Sequence, residues 1–118
     1  MKLEIVKIQN KGKLNEEYVE LKATSKCQLK YYMITDTTYT SENMISNKVR
    51  NTYRFAEKEV NKGDTVLLFS GKGKASSTNN VDSPNTHKLY WGLGKSVWNN
   101  EGDAAILFNI KSWKTTKA

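Results

Sequence analysis

One histidine and one cysteine set the limits of acid–base and metal chemistry in this 118-residue chain. His87 falls in a long polar stretch, close to Ser83 and Thr86. A Ser-His-acid triad needs an acid that orients the imidazole and donors for the oxyanion. No G-x-S-x-G elbow supplies that grammar, so His87 reads as an exposed loop histidine and no catalytic residue is expected. A structural zinc needs three or four nitrogen or sulfur ligands; His87 and Cys27 make two, and no metal is expected. Cys27 has no partner for an internal disulfide and reads as a small buried or half-buried strand residue. GKGK at 71–74 is similar to half of a phosphate cradle, but a P-loop needs G-x-x-x-x-G-K-[ST] between a strand and a helix. No cofactor is expected. Asp64 and Asp103 each follow a glycine, in KGDT and EGDA. That setting suits carboxylates that close turns by accepting local N–H groups.

The lysines are the other chemistry-bearing set. The formal net charge is +7. It is uneven: residues 1–30 carry seven lysines and four glutamates, 31–70 five basic and five acidic groups, and 71–118 seven lysines and three acidic groups. Basic ends of this kind favour acidic partners or phosphate backbones. Seventeen of the nineteen basic residues are lysine, whereas arginine is the better bidentate reader of phosphates and guanines. Lys72, Lys74 and Lys88, with Lys11 and Lys13, form the expected contact set for an acidic partner. A protein partner is the leading expectation and DNA the alternative.

The elements that must position these residues are strands. No stretch longer than three turns repeats apolar residues at helical spacing. The chain instead breaks into short β-type runs separated by turn signals. LEIVKIQN (3–10) changes phase once, which a β-bulge near Val6 would absorb. EYVELKAT (17–24) alternates cleanly, with Val19 and Leu21 inward. QLKYYMITD (28–36) would place Leu29, Tyr31 and Met33 on one face, and residues 37–51 are weakly patterned. TYRFAEKEV (52–60) turns Tyr53, Phe55 and Val60 inward. NKGD (61–64) is a turn, and TVLLFS (65–70) suits a central strand covered on both sides. Residues 71–88 read as a long surface loop, since eighteen polar-rich residues cannot hide their backbone groups. LYWG (89–92), a tight turn at 99–103 and a strand at 104–110 close the pattern. Val19, Leu21, Phe55, Leu67, Trp98 and Leu107 are the expected core.

One domain, residues 1–118 with a polar tail from about 112, fits the length. No apolar run approaches the roughly 18 residues of a membrane span. The start shows no apolar h-region or cleavage site, so a natural start at Met1 implies a cytoplasmic chain.

In order along the chain stand GKLNEEYVELK (12–22), TYRF (52–55), KGDTVLLFSGKG (62–73), LYW (89–91) and VWNNEGDAAIL (97–107). This ordered set resembles the lamin tail domain family over about nine-tenths of the chain. The resemblance implies an all-β, immunoglobulin-like β-sandwich of roughly seven to nine strands. Trp98 would then be a packing residue before a turn. No coiled-coil rod or heptad is present, so the likeness is to stand-alone or accessory bacterial tail domains. It implies a non-catalytic interaction or scaffolding module, not an enzyme, and leaves partner and oligomeric state open.

Overall fold

The computed structural model describes residues 1–41, 44–45, 48–99 and 102–118. It is all-β, with several sheets in an arrangement compatible with a β-sandwich. The strands are β1 (Leu3–Gln9), β2 (Tyr18–Ala23), β3 (Cys27–Gln28), β4 (Tyr32–Ser41), β5 (Met44–Ile45), β6 (Thr52–Arg54), β7 (Glu59–Val60), β8 (Thr65–Phe69), β9 (Ser76–Ser77), β10 (Thr86–Tyr90) and β11 (Asp103–Asn109). Four of these, β3, β5, β7 and β9, have only two residues, which is why the strands among the described residues outnumber the seven to nine expected.

The first sheet runs β1-β2-β8-β10-β9. Its pairs are antiparallel except β8 with β10, which are parallel. In the second sheet, β4 pairs with β11, β6 and β5. A two-stranded ribbon, β3 with β7, stands apart. Leu3, Val19, Leu21, Val66 and Leu68 on the first sheet and Ile34 on β4 are all fully buried, and Phe55 and Trp98 nearly so. Removing these apolar side chains from water is the main drive for the fold.

The phase change in β1 is a register shift between Ile5 and Lys7, with Val6 turned out to solvent. This is the expected bulge. The run from residue 28 behaves otherwise. A 3₁₀ turn at Leu29–Tyr31 precedes β4 and resets its phase, so Leu29, Tyr32 and Ile34 are buried while Tyr31 is exposed and Met33 half-buried. The run from residue 52 splits into β6 and β7, yet Phe55 and Val60 still point inward.

Two core expectations need correction. β8 buries Val66 and Leu68, so strand alternation puts Leu67 on the opposite face, where it is half-buried. Leu107 is also half-buried, because β11 packs against the core from the sheet margin. The segment 71–88 is not one loop either. β9 and β10 form an antiparallel pair within it, and residues 72–84 are exposed. Part of the expected turn at 99–103, residues 100 and 101, lies outside the described residues.

Gly63 has φ of +89°, and a Cβ there would stand 3.3 Å from the Pro84 ring. The turn into β8 therefore needs glycine twice over, for its backbone and for its neighbour. Gly63→Ala should cost about 1 kcal/mol or more, read as a lowered urea midpoint with an unchanged slope.

Candidate functional site

Strand alternation divides the first sheet into two chemically different faces. The inner face carries Ile8, Val19, Leu68 and Leu89 in one row and Ile5, Leu21, Val66 and His87 in the next. The outer face carries Gln9, Tyr18, Phe69 and Tyr90 across four strands, followed by Lys7, Glu20, Leu67 and Lys88. Glu4, Lys22, Thr65 and Thr86 complete it.

The aromatic row is a continuous strip. Phe69 and Tyr90 stack with ring centroids 5.1 Å apart and planes 17° apart, and Tyr18 meets Phe69 at 5.1 Å in a tilted pair. All three rings are half-buried. A Cβ on Gly73 would lie 2.3 Å from the Tyr90 ring, so the backbone of this segment rests directly on the end of the strip. Gly73→Ala must displace the ring or the loop. The expected cost is about 1–3 kcal/mol, with a changed near-ultraviolet tyrosine signal as the local readout.

Lys72, Lys74, Lys88, Lys11 and Lys13 are all exposed, at the end of the sheet that carries this strip: Lys72, Lys74 and Lys88 on the Tyr90 side, Lys11 and Lys13 in the turn that follows Gln9. Lys88 lies two residues before Tyr90 on the same outer face. Lys72 and Lys74 flank Gly73. The turn holding Lys11 and Lys13 leads to Leu14 and Asn15, which come within about 3 Å of a Cβ built on Gly71. Lys7 and Lys22 add charge on the same face, with Glu4 and Glu20 among them. The aromatic strip itself was not expected. Tyr18, Phe69 and Tyr90 lie in three separate strands, and only the pairing register aligns them.

Glu17 holds this end together. It is fully buried and accepts from Gly12 N at 3.1 Å, Ser96 Oγ at 2.5 Å, Val97 N at 2.8 Å, Trp98 N at 3.4 Å and Ser70 Oγ. Burial pushes its carboxyl pKa up, but the bonds from Ser70, Ser96, Val97 and Gly12 outweigh that and hold it below the usual carboxylate range. One carboxylate thus pins the Lys11–Lys13 turn, the end of β8 and the segment before Trp98.

The remaining candidates fall elsewhere. Cys27 is buried, and burial pushes its thiol pKa up, which disfavours the nucleophilic thiolate. Asp64 accepts Asn61 N at 3.0 Å and Asp103 accepts Asn99 N at 3.1 Å, the turn-closing role expected of both. Asp103 also meets Arg50 at 2.8 Å, and that guanidinium reaches Asp36 at 2.7 Å. His87 is the clear correction. It is buried on β10 rather than exposed in a loop, and it contacts Asp64 and Ser77. Trp113 is partly exposed, beneath the Arg54 guanidinium at 4.2 Å and beside Tyr31.

Among the described residues, no helix is long and apolar enough to cross a membrane, and no three His, Cys, Asp or Glu side chains gather as metal ligands. Comparison with protein-family models and with curated protein sequences finds no match for this chain.

Proposed function

We propose that this chain is an interaction module of the lamin-tail type, with an immunoglobulin-like sandwich as its scaffold, that binds an acidic protein partner on the outer face of its first sheet. The observation that carries the reading is the Tyr18–Phe69–Tyr90 strip, with Lys72, Lys74 and Lys88 on its Tyr90 side and Lys11 and Lys13 in the turn after Gln9 on the other. Half-exposed rings supply contact area at small entropic cost. The surrounding amines steer acidic groups toward them. The family reading is supported by the places its motifs take: TYRF leads to buried Phe55, KGD forms the capped turn before β8, LYW leaves β10, and Trp98 is buried.

A second reading, DNA binding, is favoured by the stacked Phe69–Tyr90 pair, since flat rings beside lysines also suit unpaired bases. Salt dependence separates the two. Replacing Lys72, Lys74 and Lys88 together with Gln should weaken binding about tenfold or more, while stability moves by less than about 0.5 kcal/mol. If the ligand is DNA, the slope of log affinity against log salt should also fall by roughly 2–3. Unchanged affinity for an acidic protein and for DNA would reject this face as the binding site.

A further inference from the structure

On the opposite face of the same sheet, three residues far apart in the chain form a hydrogen-bonded relay. Asp64 comes from the turn before β8, Ser77 from β9 and His87 from β10. His87 Nε2 lies 2.9 Å from Asp64 Oδ2, and His87 Nδ1 lies 2.7 Å from Ser77 Oγ. Asp64 is 2% exposed and His87 7%, so both are held in place, while Ser77 is exposed.

The hydrogen bonds of Asp64 set which imidazole nitrogen faces an acceptor. Asp64 Oδ1 accepts Asn85 N at 2.9 Å and Oδ2 accepts Asn61 N at 3.0 Å. Burial acts to raise the Asp64 pKa, but the bonds from His87, Asn85 and Asn61 hold it below its ordinary value. An ionised carboxylate can only accept, so the imidazole proton sits on Nε2. In the neutral imidazole, Nδ1 then carries the lone pair and accepts from the Ser77 hydroxyl. A positioned base on a hydroxyl, itself oriented by a buried acid, is the general arrangement of an activated nucleophile.

Ser77 opens on a cavity of about 360 Å³, with Tyr53, Ala56 and Leu89 as its apolar lining and Glu57 and Lys58 as its charged groups. We infer that Ser77 is an activated hydroxyl that accepts a short acyl group from an activated ester. Ser77 Oγ attacks the carbonyl carbon and forms the new C–O bond, while its proton moves to His87 Nδ1. The bond to the leaving alcohol then breaks, and the proton passes from Nδ1 to the departing alkoxide. The products are O-acylated Ser77 and free alcohol, with no net oxidation. His87 is the base and Asp64 the positioning residue. The site lies on the inner face and does not depend on the binding face above.

The test is labelling of the full chain with an alkyl fluorophosphonate, whose fluoride leaves as the serine oxygen attacks phosphorus, followed by peptide mass spectrometry. Ser76 is the internal control, being exposed in the same cavity without a bond to His87. Ser77 should label at least about 100-fold faster than Ser76, the lower range for a positioned base. His87→Gln and Asp64→Asn should bring Ser77 down to the Ser76 rate while each variant keeps the far-ultraviolet circular dichroism spectrum and the cooperative urea transition of a folded chain. Equal labelling of Ser76 and Ser77 in the unaltered chain would overturn the inference, whatever the variants do. So would preferential labelling that survives His87→Gln.

Discussion

Trp98→Ala should destabilise the domain by about 3–5 kcal/mol, the range for deleting a large buried aromatic side chain. Trp98 is 1% exposed and packs near Trp91, which meets Tyr53, which in turn meets Phe55. Truncation would open a void at the buried end of this aromatic cluster. Dense interiors relax only in part around such a void, so the lost contacts are not recovered. A domain of this size has a total stability of about 5–15 kcal/mol, so the melting temperature should fall by roughly 10–25 °C. Trp98→Phe separates packing from polarity. The indole Nε1 has no hydrogen-bond partner among the described residues, so phenylalanine loses volume but none of the described bonds, and the cost should stay below about 2 kcal/mol. Calorimetry on both variants checks the pair. A change under 1 kcal/mol for Trp98→Ala would mean that the cluster does not bear on the core.

Glu17→Ala should cost a comparable amount, about 3–5 kcal/mol, for a different reason. Its carboxylate serves the backbone N–H groups of Gly12, Val97 and Trp98 and the hydroxyls of Ser70 and Ser96. Alanine leaves those donors facing one another with nothing to accept them, and stranded buried donors are costlier than the net worth of the bonds they made. Glu17→Gln keeps the shape but turns an NH₂ toward some of these donors, so it should fall between wild type and Ala. The charge also ties stability to pH. Glu17 and Asp64 are both held below their ordinary carboxyl values of 4.5 and 3.8. Through the acid range the unfolded chain therefore binds more protons than the folded one. Their contribution is complete above the ordinary carboxyl values and is lost as pH falls through the lower folded values. Urea midpoints measured from neutral pH downward should drop through that window, and the drop should be shallower in Glu17→Gln. An identical pH profile in that variant would show that Glu17 does not carry this dependence.

The Glu17 variants also bear on the binding face. Gly12 is tied to the rest of the fold through Glu17, so freeing it should mobilise the Lys11–Lys13 turn. Affinity at the outer face should then weaken even where the three loop lysines are intact.

Much of this architecture was legible in the residues. The alternation of EYVELKA determined β2 and its inward Val19 and Leu21, because a period of two admits only one half-buried solution. The phase change at Val6 announced a bulge, since Ile5 and Ile8 can face inward together only if one residue is added between them. Buried Phe55 and Val60 and the turn caps at Asp64 and Asp103 were likewise written in local chemistry, whereas buried Trp98 was expected from the family resemblance. The run at 28–36 was misleading because a 3₁₀ turn shifts phase without a proline or glycine to mark it. Leu67 was misjudged because a continuous apolar run does not tell which of its faces is the more deeply covered. His87 looked like a loop residue because its strand exists only through pairing with β8 and β9, whose sequences lie about ten to twenty residues away. The tertiary structure alone decided what meets across the sheet. Phe69 meets Tyr18 on one side and Tyr90 on the other through register, Asp64 and Ser77 reach His87 from either side, and Glu17 gathers five donors from three parts of the chain. Local propensity fixes which face a residue takes within its own strand, but neighbours across a sheet are set by long-range pairing, which no local pattern encodes.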